Sequence, residues 1–490
     1  MAFLPIILPL ATIPFLMAFH SNIRWQSVIS SGSAFLQLIV GIVLLIEVKE
    51  EGILVLQAGS WPAPAGISLV IDLFSAIMVL LTSVIAVAVN LYAKEGVDSR
   101  RKTFFFYPLV QALLAGVYGA FTTGDVFNMY VWYEVMLTSS FVLLTLGGEK
   151  EQLRGAVKYV VLNLLASLFF LAGAGLLYGQ TGTLNMAHLA GMLGQADNDI
   201  LVNSWAVLFF VAFAIKAALF PFFFWLPASY HTPPMAVTAL FAGLLTKVGV
   251  YSLIRFFTLF LVNDKHFWHP LFLWIAGFTM VIGVLTAASQ YDIRRILSFH
   301  IISQIGYLIM GLGLFSIMGI AGAIYYMAHN IIAKTNTFLV AGLIERVTGN
   351  FHLKSIGGLY KAYPLLSFLF IIPAFGLAGI PPLSGFFGKL ILVTASFRSG
   401  EYIIGGIALL VGLFTLFSMV KIWGEAFWKP SPDSIPVKAG LPVSMLLPVM
   451  ILGGITLLLG FAIQPVYGLM EEAAKQLLQP EIYIRAVLHP

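Results

Sequence analysis

The sequence predicts an all-α polytopic membrane protein with about 14 transmembrane helices, and three observations carry that expectation. Of 490 residues, 60% are hydrophobic and only 10% are charged, against about 25% charged in soluble domains. The mean hydropathy is +0.97. The apolar runs are continuous, where the strands of a membrane barrel would alternate, and a run of about 20 residues crosses a bilayer as a helix.

The runs fall at about 2–19, 28–48, 68–93, 104–122, 125–146, 155–179, 202–226, 233–258, 270–289, 292–314, 316–346, 364–398, 401–428 and 440–468. The first, MAFLPIILPLATIPFLMAF, lacks a basic n-region and an A-x-A cleavage site, so it reads as a retained helix. It completes, with the next two, an N-terminal block over 1–103. Blocks 104–258 and 270–428 each divide into five helices. Proline falls inside the fourth of each, at Pro221 and at Pro381-Pro382. Proline removes a backbone donor and clashes with the carbonyl four residues back, so the seventh and twelfth helices are expected to break. A lysine lies in each broken helix. Two such blocks are what an inverted five-helix repeat gives, five being odd. The last block, 440–490, holds one helix and a short tail, EEAAKQLLQPEIYIRAVL, which suits an interfacial helix.

Charge sets the orientation. With the N-terminus outside, one set of loops holds Arg24, Lys94, Arg100, Arg101, Lys102, Lys150, Arg154, Lys158, Arg294, Arg295, Arg346, Lys354, Lys361, Lys429 and Lys438, about 15 in all. The other set holds 6: Lys49, Arg255, Lys265, Arg398, Lys475 and Arg485. The positive-inside rule therefore puts both termini outside, and it accounts for the formal charge of +5 without invoking nucleic acid. With 0 Cys, protein-ligated iron–sulfur clusters, disulfides and thiolate zinc sites are excluded. No nucleotide-binding or hydrolase motif appears in its required context, and no cofactor is expected.

Four lysines point to function. Lys216, Lys247, Lys334 and Lys389 lie deep in LFFVAFAIKAALFPFFFWLP, AVTALFAGLLTKVGVYSLI, YMAHNIIAKTNTFLVAGLI and PPLSGFFGKLILVTASF. A charge near a bilayer centre costs at least ~2.5 kcal/mol. A side chain of about 6 Å cannot reach water from the middle of a ~30 Å core. Intramembrane ionisable residues mark ion or proton paths. Glu134, in DVFNMYVWYEVMLTSSF, is the natural counter-ion for Lys216. Paired, the lysine keeps its proton; drawn away and desolvated, it releases it. A static ion pair is the alternative. Gly243 and Gly385 stand one turn before Lys247 and Lys389 and leave room for water or a neighbouring helix. His300, with Gln304 one turn on, and His329, before Asn330 and Lys334, are either proton relays or hydrogen-bonded core histidines. His231 reads as a loop residue, Asp72 and Asp125 as helix caps, and Lys421–Glu425 as an i,i+4 pair. No sodium or other metal site can be read from the residues.

The stretches FAIKAALFPFFFWLPASYHTPPMAVTALFAGLLTKVGVYSLIR, RRILSFHIISQIGY and MAHNIIAKTNTFLVAGLIERVTG resemble the antiporter-like membrane subunits shared by respiratory complex I and Mrp-type multisubunit Na+/H+ antiporters. The likeness covers roughly 70–430. It implies fourteen helices, two inverted five-helix bundles and broken seventh and twelfth helices. Carried over by position, it makes Glu134 the fifth-helix glutamate, and Lys216, Lys247 and Lys334 the seventh-, eighth- and eleventh-helix lysines. Lys389 becomes the charged residue of the broken twelfth helix, and His329 the polar position before the eleventh-helix lysine. The wording LPASYHTPPMAVTALFAGLLTKVGVY and the short tail favour the D-type branch of the Mrp antiporters. An N-type subunit of complex I, which also has lysine at the Lys389 position, is the alternative. The resemblance implies work beside other Mrp subunits (types A, B, C, E, F and G) in a bacterial cell membrane, exchanging protons for Na+.

Overall fold

The structure, a computed structural model of the chain, describes residues 1–194, 200–261, 267–431 and 440–488. Lys265 and Lys438, counted above with the loop charges, lie outside the described residues, as do the last two residues of the 440–490 block.

Helices α1 (Leu4–Ala18) and α2 (Ile23–Glu51) pack together, and the Asn22 side chain accepts from the amides of Arg24 and Trp25 to open α2. The chain then departs from the all-α expectation. Strands β1 (Leu54–Gln57) and β2 (Ser68–Ile71) pair antiparallel, with Leu54 opposite Ile71. The stretch from 68, read as the start of the third helix, is therefore strand. The glycines and prolines between 59 and 66 turn the chain back, and Val70 and Ile71 suit a strand. Asp72 accepts from the Ser75 amide at 2.9 Å and opens α3 (Leu73–Gly96) only afterwards, as N-cap chemistry favours.

After the single turn α4 (Ser99–Thr103) come α5 (Phe106–Thr122), α6 (Val126–Thr145), α7 (Lys150–Thr181), the short α8 (Met186–Leu193), α9 (Ile200–Ala217), the one-turn α10 (Trp225–Ser229) and α11 (Met235–Phe260). A second run follows: α12 (Trp268–Ser289), α13 (Ile293–Leu314), α14 (Ile317–Thr348), the one-turn α15 (Leu359–Ala362), α16 (Pro364–Ala378), α17 (Ser384–Arg398) and α18 (Tyr402–Ile422). A π-helical turn over Trp423–Trp428 extends α18. The chain closes with α19 (Val443–Phe461), α20 (Ile463–Leu477) and α21 (Pro480–Leu488). The tail thus forms two helices where one was expected.

Among the described residues eight helices are long and apolar enough to cross a membrane: α2, α3, α7, α11, α12, α13, α18 with its extension, and α19. Four shorter apolar helices are α1, α5, the part of α9 from Ser204, and α16. The two runs share a detail beyond helix order. Asp125, which caps α6, forms an isolated antiparallel bridge with Asn185, just before α8. Asp292, which caps α13, forms the same bridge with His352. The amide of Val126 donates to Leu184 O at 2.9 Å, and that of Ile293 to Phe351 O at 3.1 Å.

Helix α11 is buried along its whole length, and α14 from Gly319 to Ile344. Helices apolar on every side belong in the middle of a bundle, and these two pack on each other there. The outer helices expose large apolar side chains such as Val157, Leu168, Trp274, Leu413 and Leu458, a surface matched to lipid or to other membrane subunits.

Candidate functional site

The two expected breaks are present, and each positions a lysine. α9 ends at Ala217, one residue past Lys216, and Ala218 turns through a left-handed φ of 59°. The Phe220–Pro221 peptide is cis. The Phe220 amide finds Thr279 Oγ1 at 3.1 Å, and the indole of Trp225 donates back to Ile215 O at 2.9 Å. The loosened turn is thereby held by side chains from both flanks. In the second run α16 ends at a left-handed Gly379, and the cis peptide Pro381–Pro382 precedes α17.

All four lysines are buried, with relative exposures of 6% for Lys216, 1% for Lys247, 0% for Lys334 and 9% for Lys389. Glu134 and Lys216 come together, though not as the direct ion pair expected from sequence. Ser167 of α7 stands between them. Its hydroxyl is bonded to Glu134 Oε1, and Lys216 Nζ reaches Ser167 Oγ at 3.5 Å. The reason is positional: α7 packs between α6 and α9, so its small serine fills the gap that a direct pair would need to close. Lys216 also lies over the Tyr133 ring, 5.3 Å from its centre. The Tyr133 hydroxyl bonds to Val248 O at 3.1 Å and to Ser252 Oγ at 2.8 Å. Tyr133 therefore spans from Lys216 to the α11 turn that bears Lys247. α11 can approach because Gly249 has no side chain; a Cβ there would fall 2.6 Å from Ala217 N.

Lys247 donates to Ala242 O at 2.6 Å. Gly243 does leave room, and Thr335 of α14 takes it: a Cβ on Gly243 would meet Thr335 Oγ1 at 2.4 Å. One residue away on α14, Lys334 Nζ has no hydrogen-bond partner among the described residues, and neither has Asn330 Oδ1 nor the Asn336 amide. Buried polar groups without protein partners are where internal water binds. Lys334 lies within electrostatic range of both Lys247 and Lys389.

Lys389 donates to Leu377 O at 2.8 Å and Ala378 O at 3.0 Å, carbonyls that the break after α16 releases from helical bonding. It lies 5.2 Å from the Tyr307 ring centre. His329 Nδ1 bonds Ser384 Oγ at 2.8 Å, at the first residue of α17, while Nε2 is unpartnered. Gly385 permits this approach, since a Cβ there would sit 2.7 Å from His329 Nε2. Neither nitrogen of His300 has a partner among the described residues. Gln304, one turn on from His300, accepts the Tyr326 hydroxyl and donates to Thr415 Oγ1 at 3.5 Å. Both histidines feel the charges of Lys334 and Lys389.

Other residues sit differently from expectation. Asp72 is a cap, and it also holds Arg255 in a buried pair, Nη1 to Oδ2 at 2.5 Å and Nη2 to Oδ1 at 2.8 Å. Arg255, counted above as a loop charge, is 4% exposed. Its place at the end of an apolar run was the available signal. Lys421 does not pair with Glu425; it donates to Ala288 O and Gln290 O at 3.0 and 2.7 Å, and Glu425 pairs with Lys429 at 2.7 Å. Asp125 is a cap, as expected. His231 lies in the loop after α10, its Nδ1 2.8 Å from Pro227 O. Ser167 and Tyr133 carried no signal in the sequence, since serine and tyrosine are common in membrane helices. Among the described residues no three His, Asp or Glu side chains gather as a cation site.

Residues 123–418 match the family model described as NADH:quinone oxidoreductase/Mrp antiporter, TM. The chain is 49% identical over 488 residues to the D-type Na+/H+ antiporter subunit of Alkalihalophilus pseudofirmus, covering 99% of this chain and 98% of the relative. It is 39% identical to the D-type Na+/H+ antiporter subunit of Bacillus subtilis over 485 residues, 99% and 98% of the two chains. A chain in the solved Mrp complex of a Dietzia species superposes with TM-score 0.95 at 32% identity, covering 99% of both. A chain of the membrane-bound sulfane sulfur reductase, an archaeal respiratory membrane complex, gives TM-score 0.93 at 27% identity, also over 99% of both. With more than half the molecule matched by the family model and full-length likeness to D-type antiporter relatives, the chain belongs to the NADH:quinone oxidoreductase/Mrp antiporter family of membrane subunits.

Proposed function

We propose that this chain is the D-type member of a multisubunit Na+/H+ antiporter in a bacterial cell membrane, and that it moves protons through Lys216, Lys247, Lys334 and Lys389. The observation that carries the proposal is that, among the described residues, none of these four buried ammonium groups bonds a carboxylate directly: Lys216 reaches Glu134 only through Ser167. Lys247 and Lys389 rest on backbone carbonyls, and Lys334 on nothing. An ammonium so placed is costly to keep charged, which is the property a group that hands protons on requires. Glu134 controls the first step through Ser167, and His329 and His300 lie where protons would pass between Lys334 and Lys389. Na+ leaves as protons enter, and partner subunits of the A, B, C, E, F and G types complete the antiporter.

The repeated Asp125–Asn185 and Asp292–His352 bridges, with a break in the fourth helix of each run, support two inverted five-helix units over 104–258 and 270–428. Segments 1–103 and 440–490 flank them. Counting α6 (20 residues) and α14 (32 residues) as crossings on their length brings this reading to fourteen, in line with both termini outside.

The test is Na+-dependent ΔpH in everted vesicles holding the assembled complex, wild type against Lys216→Ala, with assembly checked on native gels. The proposal expects assembly without antiport. Full antiport by the variant makes Lys216 structural and defeats the proposal. The likeness to a respiratory membrane complex favours a second reading, a redox-driven pump component. In that case the wild type acidifies vesicles on NADH addition and ignores Na+.

A further inference from the structure

A cavity of about 380 Å3 opens on the arginine- and lysine-rich loop face, between α7, the segment that follows the first break, and α13. Arg154, Lys158 and Arg295 line it, with Glu151 as the one carboxylate among the described residues of its wall. None of the three cations takes part in any of the described ion pairs. Three positive groups against one negative leave the wall at +2. His231, on the same wall, is held below the usual histidine range by burial first and then by the charge of Arg295; its bond to Pro227 O and the Asp292 charge oppose this without overcoming it. The wall is therefore net positive through its arginines and lysine, with His231 adding no charge.

An apolar surface begins one turn away. Val157, Val161, Leu164 and Leu168 are exposed along one stripe of α7, at the three- and four-residue spacing of a single helix face. Phe224, on the cavity wall, is exposed as well. Free phosphate needs only the charges. A cationic pocket that continues into an exposed apolar stripe fits an amphiphile, with its headgroup at the loop face and its chains toward the membrane centre.

We propose that this cavity binds the phosphate of an anionic phospholipid through Arg154, Lys158 and Arg295, with the acyl chains along Val157, Val161 and Phe224. The bound lipid braces the first break. α7 already grips the segment after that break: a Cβ on Gly155 would meet Ala228 O at 2.8 Å, and Gln152 donates to Thr232 O at 3.4 Å. Trp225 in that segment holds Ile215 O, next to Lys216. Lipid at the cavity therefore steadies the turn that carries Lys216 without touching it. The site does not depend on which ion the complex exchanges or on what drives it.

The experiment titrates phosphatidylglycerol into the purified, delipidated assembled complex in neutral detergent and reads retained lipid by native mass spectrometry. Each cation near a lipid headgroup contributes roughly fivefold in affinity, so Arg154→Gln/Lys158→Gln/Arg295→Gln is expected to weaken binding by about a hundredfold. Glu151→Gln, which leaves all three cations in place, is expected to strengthen it severalfold. Phosphatidylcholine and excess inorganic phosphate are expected not to displace the bound lipid. Equal retention by wild type and triple variant overturns the proposal, as does unchanged or weaker binding by Glu151→Gln. Displacement by inorganic phosphate assigns the site to a free anion and also overturns it. So does a cross-link from Lys158 to a neighbouring protein in the native complex, because protein then covers the cavity. Transport plays no part in the readout, so a failure here is distinct from a failure of the antiport reading.

Discussion

Gly385→Ala probes the second break most directly. A Cβ at Gly385 would fall 1.8 Å from Gly376 O and 2.7 Å from His329 Nε2. The first neighbour is backbone at the end of α16, so no side-chain rotation relieves the clash. To reach ordinary contact at 3.4 Å the oxygen must retreat by about 1.6 Å, the difference between the two distances. Overpacking of a dense interior costs roughly 1–3 kcal/mol, and a backbone collision belongs at the upper end of that range. The movement also falls on function, because Lys389 is one turn from Gly385 and bonds Leu377 O and Ala378 O at 2.8 and 3.0 Å. Parting α16 from α17 by that amount breaks both bonds. Gly406→Ala is the control: nothing lies within 4 Å of its Cβ position, and alanine in a helix interior is favoured over glycine by roughly 0.5–1 kcal/mol. The assay is the melting temperature of the purified complex alongside Na+-dependent ΔpH. Gly385→Ala is expected to melt several degrees lower and to lose most transport, with Gly406→Ala matching or exceeding wild type. A Gly385→Ala complex with wild-type melting and wild-type transport would refute the reasoning.

Three further outcomes are expected. Ser167→Ala removes the link between Glu134 and Lys216; hydrogen bonds to charged groups are worth about 1.5–3 kcal/mol, so proton flux in vesicles should fall about 10- to 100-fold with assembly intact, and an unchanged flux would show that the serine couples nothing. Asp72→Asn leaves Arg255 buried and unpaired, which costs roughly 3–5 kcal/mol; the melting temperature should drop, and Asp72→Leu/Arg255→Met should recover part of the loss, whereas equal melting of all three chains excludes a structural role for the pair. Asp292 is held below the usual carboxyl range: burial opposes this, but bonds and charge from Arg294 and the amides of Arg294 and Arg295 outweigh it. A depressed carboxyl stabilises the fold fully above its unfolded value of about 4 and loses that contribution as pH falls through the folded value. The acid-side fall in melting temperature should therefore be shallower in Asp292→Asn, and identical profiles would count against the assignment.

Membrane class, helix order, the two breaks and the four buried lysines are legible in the residues alone. Each is a local property. Apolar length selects spanning helices, proline interrupts them whatever surrounds it, and a lysine far from either end of a span has no route to water. The caps at Asp72 and Asp125 are local in the same way. Which groups meet depends on packing between helices. Ser167 lies 33 residues from Glu134 and 49 from Lys216, and nothing in its neighbours marks it. The pairing of Asp72 with Arg255 across 183 residues, the filling of the Gly243 notch by Thr335, and the capture of Gln304 by Tyr326 depend on how helices pack face to face. The β1–β2 hairpin belongs here too, because four-residue strands carry too little pattern to stand out from the start of a helix. Helical periodicity says which side chains share a stripe; only the packing of one helix against another says what that stripe touches.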